Sequence, residues 1–358
     1  MLSDAYARLA KRLDALPNGF PPTQDGAELR LLAKIFTPEQ ADLASKLRMR
    51  LETPRQLAGR LALDPAKLRE RLREMARLGL IRAGKADGGL GYALMPFVFG
   101  IYEMQSPRFD AELAQLFEAY YQAAFVRMTE ITPQIHRVLP VGESLELDLE
   151  VQPYENVVEI LSEWNAWGVL ECICRRQMAF VGEACDHPLE VCMVMSRRPG
   201  AFDADASIRS LSLDEAQEVL LDAAEAGLVH TVGNRQEEVF YICNCCTCSC
   251  GLLRGISEFG MANVVARSSF VNRVDETLCS SCGLCEGYCQ FGALGVELLA
   301  VVDEDRCVGC GVCVINCPDG AMRLVARRDA EQQQVPVNEY DWSMKRAASR
   351  DLDLSNIL

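Results

Sequence analysis

The chain has 358 residues, of which 17 are cysteine and three histidine, and its formal net charge is −15. Apolar residues make up 49% and charged residues 24%, the balance of an ordinary globular protein of two or three domains. No apolar run of about 18 residues predicts a membrane-spanning helix, and the N-terminus has an early acid and no apolar stretch of the kind a signal peptide carries.

A cytoplasmic location is therefore expected. Seventeen cysteines exceed normal usage, and a disulfide framework is excluded by the length, the missing export signal and the odd count. Clustered thiolates in a reducing compartment bind metal. With three histidines available, soft sulfur-only sites are favoured, which suit iron–sulfur clusters, zinc or Cu(I). The charge is uneven. Residues 1–100 carry 17 Lys+Arg against 11 Asp+Glu, and the remainder carries 19 against 40.

Residues 1–100 form the first expected domain. Within it, Thr53 and Pro54 predict a helix start, and Asp64 with Pro65 predicts a second. Leu68, Leu72, Met75 and Leu78 fall at helical spacing, while Arg69, Arg71, Arg73 and Arg77 lie largely elsewhere on that helix. Glu70 and Glu74 stand one helical turn, three residues, before Arg73 and Arg77 and can pair with them. Gly79 ends the helix, and "LIRA", "GKADGG" and "YAL" read as strand, turn and strand. Helix, turn, helix and a two-stranded wing resemble a winged helix-turn-helix domain. That resemblance implies either DNA binding or a docking role, and docking is the preferred expectation.

Residues 101–270 form the expected cysteine-rich metal-binding domain of mixed α+β character. Cys172, Cys174, Cys185 and Cys192 make a C-x-C-x10-C-x6-C group. Cys243, Cys245, Cys246, Cys248 and Cys250 crowd into "YICNCCTCSCG". Between them "LDEAQEVLLDAAEAGLVHTV" reads as a helix capped near Asp214 and ended at Gly227, and "EEVFYIC" as a strand. In an extended segment side chains alternate faces. Cys172 and Cys174 would share one face. Cys243 and Cys245 would share another, with Cys246, Cys248 and Cys250 opposite. Either the backbone turns at the Cys245–Cys246 junction or the run serves two sites.

The expected occupant of these nine thiols is one or two further iron–sulfur clusters. A zinc site shared by the two groups and a redox-active dithiol are the alternatives. His187 would suit zinc. The plainer reading makes it a polar loop residue ahead of a helix near Leu189. Arg175 and Arg176 would offset thiolate charge, and Trp164 and Trp167 read as core.

Residues 271–328 contain an internal repeat. "VDETLCSSCGLCEGYCQFGAL" starts at Val274 and "VDEDRCVGCGVCVINCPDGAM" at Val302, 28 residues apart, and each carries C-x2-C-x2-C-x3-C. This resembles a bacterial ferredoxin with two [4Fe–4S] clusters. The resemblance implies that Cys279, Cys282, Cys285 and Cys317 hold one cluster, and that Cys307, Cys310, Cys313 and Cys289 hold the other. Pro318 follows the fourth cysteine of the second half as that pattern requires; Gln290 replaces it in the first. The tail, 329–358, is polar and reads as an extension that packs on a partner.

The order of "CICR", "HPLEVC", "ICNCC" and the ferredoxin end resembles a group of bacterial 4Fe–4S binding proteins with a helix-turn-helix-like head, familiar from anaerobic metabolism. That resemblance implies redox work and names no substrate. No G-x-G-x-x-G fingerprint, P-loop or acid–base constellation is evident. The expected function is single-electron transfer to or from a partner oxidoreductase. An iron–sulfur DNA-binding sensor and a reductase with an open-coordinate iron site are the alternatives.

Overall fold

The computed structural model describes residues 3–145, 149–328 and 333–357. The chain forms two compact units, Met1–Ile131 with Ser343–Leu358, and Thr132–Trp342. The first division thus falls at 131/132, beyond the boundary expected at 100.

The first unit is mainly helical: α1 (Asp4–Asp14), α2 (Ala27–Ile35), α3 (Pro38–Ala44), α4 (Pro54–Leu61), α5 (Pro65–Arg77) and α6 (Ala111–Ala123). The expected starts are present. Thr53 caps α4 through a reciprocal box with Gln56, and Asp64 caps α5 by accepting from the Lys67 N–H. α5 buries Leu68, Leu72 and Met75, whereas Leu78 is half-buried and stands at the C-cap. Gly79 follows at φ +68°, where a Cβ would meet the Met104 side chain at 2.6 Å. The next strands, β1 (Arg82–Ala86) and β2 (Gly89–Ala93), pair antiparallel across a turn of two residues, Asp87 and Gly88. Phe20, Phe97, Tyr102, Phe117 and Tyr120 form an aromatic core beneath α6.

Most of the last helix, α13 (Glu339–Ser349), belongs to this unit. Arg346 is fully buried and donates to the carbonyls of Pro17 (2.9 Å), Met128 (2.6 Å) and Ile131. Arg350 donates to Leu16 O (2.6 Å) and pairs with Asp14 (2.9 Å). The tail expected to pack on a partner instead packs on its own chain, because these two arginines satisfy carbonyls left open at the ends of neighbouring turns. Residues 329–332 and Leu358 of that expected extension lie outside the described residues.

The second unit is built on a six-stranded antiparallel sheet. Its strands are β3 (His136–Val138), β4 (Ala166–Glu171), β5 (Glu190–Ser196), β6 (Arg209–Leu211), β7 (Val229–Gly233) and β8 (Tyr241–Cys245), ordered β3-β7-β8-β5-β4-β6. With this sheet come α7 (Val157–Ser162), α8 (Ile173–Phe180), α9 (Leu213–Glu225) and α10 (Arg254–Phe259). The cap of α9 is Ser212, in a box with Glu215, rather than Asp214. Trp164 lies in the core with Met193, Met195 and Leu211, and Trp167 packs against it. Residues 190–196 are strand β5, not the helix expected near Leu189; the alternation of buried Val191, Met193 and Met195 explains why.

The ferredoxin region completes this unit. β9 (Phe270–Val274) pairs with β12 (Met322–Ala326), and β10 (Leu294–Val296) pairs with β11 (Ala300–Val302), all antiparallel. Short helices α11 (Leu284–Tyr288) and α12 (Val312–Ile315) follow the cysteine loops. The 28-residue repeat is also conformational. Ser281 (φ +61°) matches Gly309 (φ +70°), and Gly283 (φ +79°) matches Gly311 (φ +78°). Only glycine fits at 309, where a Cβ would stand 2.1 Å from the Phe270 carbonyl.

Candidate metal centres

All seventeen cysteines are free thiols. In the ferredoxin region they line two cavities. One is walled by Cys279, Cys282, Cys285 and Cys317. The other is walled by Cys289, Cys307, Cys310 and Cys313. In each, three cysteines come from one half of the repeat and the fourth from the other. The left-handed residues between the cysteines turn the loop around the cavity, so its backbone N–H groups can face sulfur. Asn272 Nδ2 donates to Cys313 Sγ (3.2 Å), and the Ala293 N–H donates to Cys289 Sγ (3.2 Å). Burial pushes the Cys310 thiol up to about 12 and raises Cys313 as well.

The nine middle cysteines separate into two groups. Six form a ring in which each thiol perturbs the next. Cys172 contacts Cys174 and Cys192, Cys192 contacts Cys243, Cys243 contacts Cys245, Cys245 contacts Cys250, and Cys250 contacts Cys174. Cys172 is the N-cap of α8 and Cys174 lies in its first turn, so the two do not share the extended segment expected of them. Cys192 comes from β5, and Cys243 and Cys245 from β8. The backbone then turns over residues 247–249, which returns Cys250 to the face of Cys243 and Cys245. Crowding splits the thiols. Hydrogen bonds from Cys243 and Cys250 pull Cys245 down to about 6, and those from Cys174 and Cys192 hold Cys172 well below the thiol range. The contact with Cys172 raises Cys174 and Cys192.

The other group is Cys185, His187, Cys246 and Cys248, whose ligand atoms all lie within 4.8 Å of one another. Cys185 and His187 sit in the loop after α8, and Cys246 and Cys248 in the turn after β8. At the Cys245–Cys246 junction the backbone turns, and the run contributes thiols to two separate groups.

Arg175 stands between the groups. It is 4% exposed, donates to Asn244 O (2.9 Å) and lies 3.6 Å from Cys246 Sγ. Its Nε and Nη1 have no partner, although the thiols of Cys172, Cys245 and Cys246 are near enough to hold its charge. Orphaned cationic donors are costly unless an anion is present. Arg176 is more peripheral and approaches Glu171 at 3.4 Å.

The ferredoxin quartets and the six-thiol ring, unlike the group that contains His187, offer sulfur-only donors with buried N–H donors beside them, which fits iron–sulfur groups. Several contributors carry no metal signature in the sequence. Asn272 is one. Others form a buried chain in which Tyr241 Oη meets His136 Nε2 (2.8 Å), His136 Nδ1 meets Thr231 Oγ1 (3.1 Å), and Thr231 Oγ1 meets Cys245 Sγ (3.3 Å).

Gln290, the departure from the ferredoxin pattern, joins the two regions. Its Oε1 accepts from Thr247 N–H (2.9 Å) and Thr247 Oγ1 (2.7 Å), and its Nε2 donates to Gly227 O (3.1 Å). Asn316 Nδ2 adds a bond to Ala224 O (3.1 Å) at the end of α9.

Among the described residues no helix is long and apolar enough to cross a membrane. No curated protein matches the chain. The family model of the 4Fe-4S binding domain matches residues 273–295 and again 300–323. The C-terminal region is thus a two-cluster ferredoxin domain, and the chain has an iron–sulfur electron-transfer role.

Proposed function

We propose that the protein is a relay subunit that passes single electrons to or from a partner oxidoreductase in a reducing, cytoplasmic setting. Each bound cubane supplies a one-electron carrier; the chain holds, buries and tunes it. Cys279, Cys282, Cys285 and Cys317 are the ligands of one cubane, and Cys307, Cys310, Cys313 and Cys289 those of the other. The ring of Cys172, Cys174, Cys192, Cys243, Cys245 and Cys250 holds a further iron–sulfur centre. The observation that carries this reading is the direct tie between the regions: Gln290, next to Cys289, is bonded to Thr247 in the turn that closes the ring. A ferredoxin domain fastened to a second thiolate centre is suited to relaying electrons rather than to free diffusion. The N-terminal region, with its winged-helix-like pattern, serves to dock the subunit.

The test is anaerobic iron and sulfide analysis with redox-monitored EPR. Iron clearly above about eight per chain is expected, since two cubanes account for eight. Iron at about eight, with signals from two clusters alone, would remove the further centre.

A second reading has one observation in its favour. Arg69, Arg73 and Arg77 of α5 are exposed, and among the described residues neither Glu70 nor Glu74 makes an ion pair with them. The pairing expected from their spacing does not form, so the positive face of α5 stays open. In this reading the protein is a DNA-binding regulator controlled by its clusters. Salt-dependent, sequence-specific binding by the loaded protein would support it, and its absence would leave the docking role.

A further inference from the structure

We infer that Cys185, His187, Cys246 and Cys248 form a mononuclear zinc site, separate from every iron–sulfur centre of the chain. Among the described residues this is the one group of three or more such ligands whose donor atoms all lie within 4.8 Å of each other. A tetrahedral zinc ion with Zn–S of about 2.3 Å and Zn–N of about 2.0–2.1 Å needs donor atoms roughly 3.5 Å apart, a small contraction from the spacing present. A cubane binds its four ligands at separate corners and needs them farther apart. The ferredoxin quartets, spread around their cavities, have that wider spacing; this group does not.

The chemistry agrees with the spacing. Three thiolates and one imidazole make a closed Cys3His set, the composition of a structural rather than a catalytic zinc site. Two of the three sulfurs have a supporting contact from outside the set. Ser249 Oγ lies 3.4 Å from Cys185 Sγ, and the backbone of His187 also bonds it. Arg175 lies 3.6 Å from Cys246 Sγ and offsets the net negative charge of three thiolates on a divalent ion. His187 Nδ1 lies 3.9 Å from Cys248 Sγ and faces the trio.

The position explains what the site does. It clips the loop after α8 to the turn after β8. That loop leads directly to Cys192, and that turn separates Cys245 from Cys250, so three ring thiols depend on the two segments the zinc would fasten. The site is a structural pin for the neighbouring centre and carries no electrons itself, because Zn²⁺ has no accessible redox change.

The experiment uses anaerobically purified full-length protein. Metal analysis is expected to give about one zinc per chain alongside the iron. Zinc-edge X-ray absorption is expected to show three sulfurs and one nitrogen. His187→Cys should retain zinc with an all-sulfur shell, and Cys248→Ser should lose most of it. Protein that holds its iron but no zinc would overturn the assignment and leave the relay intact. So would zinc with four sulfurs in the wild type, or a wild-type zinc spectrum in His187→Cys. Iron at eight with zinc at one would sink the further iron–sulfur centre and spare this site.

Discussion

Single donors set the properties of the thiolate centres. Asn272 is buried on β9, donates to Cys313 Sγ and lies 3.4 Å from Met322 Sδ, with its Oδ1 unpartnered. A donor to a ligand sulfur stabilises the more negative, reduced state. Asn272→Leu removes that donor and is expected to lower the potential of one of the two ferredoxin clusters. A difference of about 1 kcal/mol between oxidation states corresponds to about 40 mV for one electron. Potentiometric EPR reads it; an unchanged or higher potential would show that Asn272 only fills space. Thr231 is the matching residue at the ring. Thr231→Val should lower the ring's potential in the same sense while the two ferredoxin signals stay fixed.

At the scale of the element, local rules were legible where one short segment settled the outcome. The caps at Thr53 and Asp64, the left-handed Gly79 and the cysteine loops follow from neighbours in sequence. What failed did so because distant residues decided it. Cys172 and Cys174 look like strand positions, but the backbone turns into α8 as soon as β4 ends. The tail is polar by composition, yet two of its arginines find buried carbonyls more than 200 residues away. One element also carries a pH response. Glu103 bends back to accept from the Gly100 N–H (2.7 Å), beside Phe99 in a left-handed conformation. Burial raises its carboxyl to about 7, against the backbone bonds that lower it. A folded-state value above the unfolded one means that its contribution is fully present below about pH 4.5 and is lost as the pH rises through about 7. Glu103→Gln keeps an acceptor without the charge. It should match wild type near pH 5 and exceed it by up to roughly 3 kcal/mol at pH 8. Urea unfolding followed by circular dichroism at both values checks this, and equal stabilities at pH 8 would refute it.

At the scale of the molecule, the sequence announced two clusters plainly, because a doubled motif needs nothing but its own spacing. It did not announce how nine further thiols would divide. That division depends on α8, β5 and β8 converging, and on a turn at 247–249 that no spacing rule encodes. Nor did it reveal what Gln290 is for, since its partners Thr247 and Gly227 are 43 and 63 residues away. In the usual pattern a proline there has no side-chain donor or acceptor. Here the amide links the residue beside Cys289 to the turn between Cys246 and Cys248, and so fixes the ferredoxin domain against the middle centre. Removing it should loosen the joint before it harms either centre. Gln290→Ala is therefore expected to keep the wild-type iron content and circular dichroism. The Thr247 amide, which donates to the Gln290 carbonyl oxygen, should exchange with deuterium about tenfold faster, since losing a bond of about 1.4 kcal/mol shifts a local opening equilibrium by that factor. Residues near Gly227 should follow, while the sheet core around Val232 and Ile242 stays protected. Unchanged exchange at Thr247 would mean that other contacts hold the two regions together and that Gln290 is a passenger.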